Sequence, residues 1–131
     1  MSGTHYLSLE DALSFIRALA IGPVRDLGLL DSALARPRSS AFGQDAYPTI
    51  ELKAAAVLDS LVNNRPLLDG NKRLAWLSTT VFLALNDVAV ELSDDEAFDL
   101  VWDVASGSHE LADIASRLRP RREVHEQVPS T

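Results

Sequence analysis

The run from Leu74 to Leu85 constrains the fold more than any other stretch, because it is apolar on nearly every face of a helix. Such a helix is stable only when neighbours enclose it. It is too short to cross a bilayer, which takes about 20 residues. The chain must therefore build a globular body around it, and 131 residues suffice for one compact domain with its own core.

Helical signals fill most of the remainder. Ser8 is a good N-cap with Glu10 and Asp11 in the first turn, where the dipole favours acids. Leu9, Ala12, Leu13, Ile16 and Leu19 or Ala20 form one stripe, and Gly22-Pro23 stops that helix. Arg25 to Leu34 predicts a turn and a short helix ending before Pro37. Arg38 to Pro48 has no periodic apolar pattern and reads as a loop, either a plain surface connection or a flap beside a functional site. Thr49 caps a third helix carrying Ile50, Ala54, Val57, Leu58 and Leu61 at helical spacing. Asn63-Asn64 ends it, and Arg65 is expected to be extended because it precedes Pro66.

Beyond Leu85, Asn86-Asp87 ends the apolar helix, and Val88 to Leu92 predicts a short extended piece. Ser93 and Glu96 make a capping box for a helix over Asp94 to Ala105, which Gly107 terminates. Ser108 is expected to cap a last helix through His109, Leu111, Ile114, Ala115 and Leu118. No hairpin signal, internal repeat or linker is present. The expected fold is all-α, a compact bundle of about six helices around the buried Leu74–Leu85 helix. It occupies residues 1–120, with a polar, disordered tail over 121–131.

Immediately before the apolar helix lies Arg65-Pro66-Leu67-Leu68-Asp69-Gly70-Asn71-Lys72-Arg73. A helix start offers N–H groups without helical partners and the positive end of the dipole, which together favour an anion. Gly70 permits close backbone approach or a positive φ there. Arg73 can fork onto a phosphate, Lys72 adds a point charge, and Asp69 is the hard oxygen ligand that Mg²⁺ takes alongside phosphate oxygens. These residues read as a nucleotide-phosphate site. They do not form a Walker loop, and charge pattern alone suits an ordinary capped helix with solvated cations equally well.

The net charge of −7 disfavours nucleic acid as a partner, so any basic site must be local. The absence of cysteine excludes disulfides, thiolate nucleophiles and cysteine zinc sites, and fits the cytoplasm. No signal pattern opens the chain, and no membrane association is expected. His5, His109 and His125 lack metal-ligand spacing and read as surface or cap residues. Trp76 and Trp102 fall in apolar stripes and read as core. Asp94-Asp95-Glu96 is explained by its place at a helix start, and Arg119, Arg121 and Arg122 by a solvated terminus.

The central loop resembles the Fic/Doc signature, His-Pro-Phe-x-[Asp/Glu]-Gly-Asn-[Lys/Arg]-Arg. Pro66, Asp69, Gly70, Asn71, Lys72 and Arg73 match, and Leu67 replaces the Phe. Asp26 to Pro37, Tyr47-Pro48-Thr49 and Phe82 to Asn86 also resemble death-on-curing (Doc) toxins, so the likeness covers roughly residues 6 to 118. It implies ATP as substrate, Asp69 holding Mg²⁺, Gly70 and Asn71 forming an anion nest, and Lys72 and Arg73 neutralising phosphates. Doc-type toxins move the γ-phosphate to elongation factor Tu and stop protein synthesis. Fic proteins transfer AMP instead. A separate small Phd-like antitoxin is implied as partner, since no Ser/Thr-x-x-x-Glu-Gly/Asn inhibitory motif is present. A non-catalytic antitoxin-binding module is the alternative of another class.

One position departs. Arg65 stands where the family has its general-base histidine. Arginine has no acceptor and stays protonated, so it cannot take a proton from a hydroxyl. The expectation is a chain that is inactive or nearly so, either as a natural pseudo-enzyme or as a toxin silenced so that cells survive making it. Every other nucleotide-site residue of the signature is intact, which favours the second.

Overall fold

The computed structural model describes residues 3–107 and 109–123. Among them are six α-helices and two short antiparallel strand pairs. The helices are α1 (Leu9–Leu19), α2 (Leu27–Ala35), α3 (Ile50–Asn64), α4 (Asn71–Leu85), α5 (Asp94–Ala105) and α6 (Leu111–Arg117). The strands are β1 (Ser40–Ala41), β2 (Gln44–Asp45), β3 (Val88–Val90) and β4 (Pro120–Arg122). None of the described helices is long and apolar enough to cross a membrane.

The helix starts follow side-chain chemistry. Ser8 with Asp11 and Ser93 with Glu96 form reciprocal capping boxes, while Asp26 and Thr49 accept from the N–H groups of Leu29 and Leu52. The last helix departs from expectation. Its N-cap is Glu110, which makes no side-chain cap bond, and His109 precedes the helix. Ser108 lies outside the described residues.

The element its neighbours share is α3, not the Leu74–Leu85 helix. It touches α2, α4, α5, α6 and a 3₁₀ turn at Arg36–Arg38. Ala54, Ala55 and Ala56 are fully buried on it, and side chains that small let neighbouring helices approach from several directions. Helix α4 packs alongside. Leu74, Ala75, Ser78, Thr79, Phe82 and Leu83 turn inward, but Ala84 and Leu85 are exposed. Fully burying Leu74 or Phe82 contributes about 1.5–3 kcal/mol each relative to exposure. All-round apolarity overstated how deep α4 sits, because threonine, alanine and the terminal leucine tolerate the surface.

The expected loop from Arg38 to Pro48 holds the β1–β2 hairpin, with Ser40 opposite Asp45 and Ala41 opposite Gln44. Phe42 and Gly43 form its turn, both at positive φ, and Phe42 is fully solvent-exposed. A phenylalanine in that position is no hairpin signal, which is why the sequence hides it. The hairpin is tied to the start of α3. Buried Lys53 donates to the Tyr47 carbonyl and pairs with Asp45 at 3.2 Å. Arg36 reaches Asp59 at 2.8 Å, Ser60 Oγ at 2.9 Å and Tyr47 Oη at 2.9 Å. Burial works against the Arg36 charge, but hydrogen bonds to Asp59 and Tyr47 outweigh it and hold the proton more firmly than usual.

The tail expectation fails for its first residues. Arg121 and Arg122 sit in β4, paired to Ala89 and Val88, and the Glu123 N–H donates to Asp87 O. Ion pairs Arg119–Glu96, Arg121–Glu91 and Arg122–Glu51, each at 2.9 Å, accompany the ladder. Exposed pairs of this kind contribute little singly, but here they decorate a strand already held by backbone bonds. Residues 124–131 lie outside the described residues, as does His125.

Candidate active site

The site grows from the junction between α3 and α4. Helix α3 ends in carbonyls that need donors. Arg25, forty residues upstream, supplies them: Nη2 donates to Asn64 O at 3.1 Å and to Arg65 O at 2.7 Å, and Nε donates to Arg65 O at 3.0 Å. Arg65 is left-handed, at φ 51° and ψ 61°, not extended. The proline that follows disfavours right-handed helical angles, and the left-handed cap avoids them while ending the helix. A side chain there costs about 1–2 kcal/mol, which the charge-assisted bonds from Arg25 offset.

The segment 22–26 then templates the loop. Arg25 and Asp26 N–H groups donate to Pro66 O, Leu68 N–H donates to Pro23 O, and Gly22 N–H donates to Asp69 O. Leu67 is buried beneath the loop. The Asn71 side chain closes it: Oδ1 accepts from Leu67 N–H and Nδ2 donates to Leu67 O, both at 2.9 Å. Asn71 therefore shapes the loop with its side chain committed to the backbone. Gly70 has φ 93°, and an added Cβ would lie 2.5 Å from Ile21 Cβ, so both conformation and space demand glycine. As N-cap of α4, Gly70 provides no side-chain acceptor to the first turn.

Arg65, Asp69, Gly70, Asn71, Lys72 and Arg73 all line one cavity of about 740 Å³, together with Trp102 and Ala105 of α5 and its C-cap Ser106. This volume suits a small-molecule ligand. Among the described residues, the side chains of Arg65, Asp69 and Arg73 have no protein partner, while the Lys72 ammonium lies 4.4 Å above the Trp102 ring. Three cations against one carboxylate focus positive potential in a chain that is acidic overall. Asp69 fits as a single protein ligand to Mg²⁺ arriving with phosphate oxygens, and no group of three His, Cys, Asp or Glu able to cage a metal occurs among the described residues.

Two site residues escaped the sequence reading. Trp102, expected in the core, is 52% exposed and faces the cavity. Its neighbours Val101 and Val104 carry the buried stripe of α5, and Trp102 falls just off it. Arg25 gave no signal at all, because its contact spans forty residues. Conversely, the β1–β2 hairpin contributes no residue to the cavity wall, and neither His5 nor His109 reaches it.

The sequence matches the model of the Fic/DOC family over residues 4–83, from before α1 to within two residues of the end of α4. It is also 46% identical over 120 residues to Toxin Doc of Mycolicibacterium smegmatis (strain ATCC 700084 / mc(2)155), covering 88% of this chain and 92% of that one. The family match takes in the whole of the loop that α3 and α4 hold open, and the relative runs along most of both chains, so this chain belongs to the Fic/Doc family.

Proposed function

We propose that this chain is a Doc-type toxin, built to move the γ-phosphoryl group of ATP to a hydroxyl of a translation factor, elongation factor Tu, and left inactive or nearly so by Arg65. The observation that carries the reading is Arg65 itself, exposed and, among the described residues, unpaired on the wall of the same cavity as Asp69, Gly70, Asn71, Lys72 and Arg73. The relative's name, Toxin Doc, supports the toxin assignment. A separate Phd-like antitoxin is the partner this reading expects.

In the transfer, the target oxygen bonds to the γ-phosphorus, the bond to the ADP oxygen breaks, and the hydroxyl proton leaves for a base. Lys72, Arg73 and the first-turn N–H groups of α4 stabilise the phosphate charge, the main catalytic resource in phosphoryl transfer. Mg²⁺ held at Asp69 would neutralise further charge. Arg65 cannot accept the proton, and loss of a general base costs about 10²–10⁴-fold.

The same Arg65 favours one other reading, a non-catalytic module that captures its antitoxin. A paired assay separates them. The chain and its R65H variant are incubated with elongation factor Tu and Mg²⁺, using γ- and α-labelled ATP in parallel. Transfer of γ-label by R65H alone is the expected result. Transfer of α-label would replace it with AMP transfer, and no transfer by either protein to any component of a lysate would leave the binding module.

A further inference from the structure

Trp102 is an expensive residue to leave half in water, and nothing in the proposed chemistry uses it. It stands on α5 and lines the same cavity as Arg65, Lys72 and Arg73. Phe98, one turn earlier, packs against it at 5.6 Å between ring centroids, tilted by 41°, which braces the indole from its own helix. Lys72 links the cationic groups to the indole, its ammonium over the ring. The cavity thus carries both phosphate-binding cations and a supported aromatic plane.

Resting on the nucleotide reading above, we infer that Trp102 is the stacking platform for the nucleobase, and that it determines how the site treats different bases. An aromatic plane accepts any base, because every base has a π-face. Discrimination between bases needs donors or acceptors aimed at the base edge. Away from the cationic groups the side-chain donors are already engaged: both Asn63 Nδ2 hydrogens go to Asp59 Oδ1 and Val104 O, and Ser106 Oγ donates to Asp103 O. The acceptor left on Asn63, Oδ1, suits adenine N6–H and guanine N1–H or N2–H alike. The platform therefore holds purines by area and does not read their edges, so ATP and GTP bind alike.

Lys72 couples the two ends. An exposed cation–π contact is weak, and a lysine stem is flexible. A phosphate that draws the ammonium off the ring changes the environment of the indole, so Trp102 reports on the phosphate end as well as the base.

The chain has two tryptophans, and W76F leaves Trp102 as the single emitter. Nucleotide titrations on that background need no catalysis, so Arg65 does not interfere. We expect ATP and GTP to change the emission and to bind within about threefold of each other. By calorimetry, W102A should weaken both by about 5- to 150-fold, the range that one base–aromatic stack spans, while binding of inorganic triphosphate stays unchanged. W102F should retain most of the ATP affinity. The side chain is half exposed, and circular dichroism of each variant checks that the fold survives. If W102A binds ATP as tightly as the parent, or loses triphosphate to the same degree, the platform is wrong and the phosphate site stands. If the parent binds neither ATP nor triphosphate, the nucleotide reading falls and the platform with it.

Discussion

Asn71 makes the sharpest prediction, because the family signature invites a ligand role and the structure gives its side chain a different one. N71A removes two hydrogen bonds to the backbone of Leu67, a residue that is only 1% exposed. Each bond contributes about 1 kcal/mol net, and a backbone group left buried without a partner costs about 1–3 kcal/mol. The Leu67 N–H and C=O are both orphaned, with some relief from the open side of the loop, so about 2–4 kcal/mol of stability should be lost. For a domain this size that is a fall in Tm of roughly 10 °C. N71D adds a test of sign. Its carboxylate still accepts from Leu67 N–H but opposes Leu67 O with no donor. The ionised form is disfavoured in the fold, so the folded pKa of the introduced carboxyl rises above its unfolded value of about 3.9. Below that value the protonated group donates and the deficit relative to the parent is smallest. It grows as pH rises through the folded pKa. Urea denaturation at pH 7 and near pH 4, followed by tryptophan emission, measures both. A loss under about 0.5 kcal/mol for N71A, or a pH-independent N71D deficit, would refute the staple.

Three further outcomes follow from neighbouring contacts. G70A should cost about 2–5 kcal/mol, combining a left-handed Cβ with overpacking against Ile21; adding I21A should return part of that loss in the double variant, and strict additivity would show that the clash is not the cause. R36M frees Tyr47 and Asp59 at a site about one-third exposed, so the stability loss should be modest, about 1–2 kcal/mol. Chymotryptic cleavage at Phe42 should nevertheless accelerate, and an unchanged rate would mean that Arg36 does not anchor the hairpin. The Glu96 carboxyl is held below the usual range by the Ser93 N–H first, then the Ser93 hydroxyl, with Arg119 adding to them. Its contribution is therefore complete above the ordinary carboxylate value and is lost as pH falls through the depressed one. In a carbon-detected NMR titration S93A should bring Glu96 back towards the ordinary value, and R119A should move it less.

What the sequence disclosed was local. Ser8, Asp26, Thr49 and Ser93 start helices by bonding residues three positions on, and such bonds are written in adjacent letters. The step from Asp69 through Gly70 into the first turn of α4 was readable for the same reason, since a glycine at positive φ before a helix start is a local feature. What stayed hidden was set by distance along the chain. The left-handed turn at Arg65 depends on Arg25, β4 exists only because β3 offers an edge, and the exposure of Trp102 depends on where α5 is rotated against α3 and α4. Periodicity gives a helix its face but not the helix that will occupy the centre, and the alanines of α3 outranked the leucines of α4 there.

The same long-range contacts bear on the meaning of Arg65. Every bond that fixes the backbone at this position comes from elsewhere: two from Arg25 to its carbonyl, and two more from Arg25 and Asp26 N–H groups to the carbonyl of Pro66. The Arg65 side chain makes none of them. The turn is thus prepared for whatever side chain occupies it, and histidine meets the same left-handed backbone without repacking a buried neighbour. R65H should accordingly leave stability within about 0.5 kcal/mol of the parent, as surface substitutions do. Any activity it gains is then attributable to the imidazole as proton acceptor and not to a reshaped loop. A large change in stability on R65H would break that inference, because it would show that the arginine side chain helps to build the loop it was taken to disable.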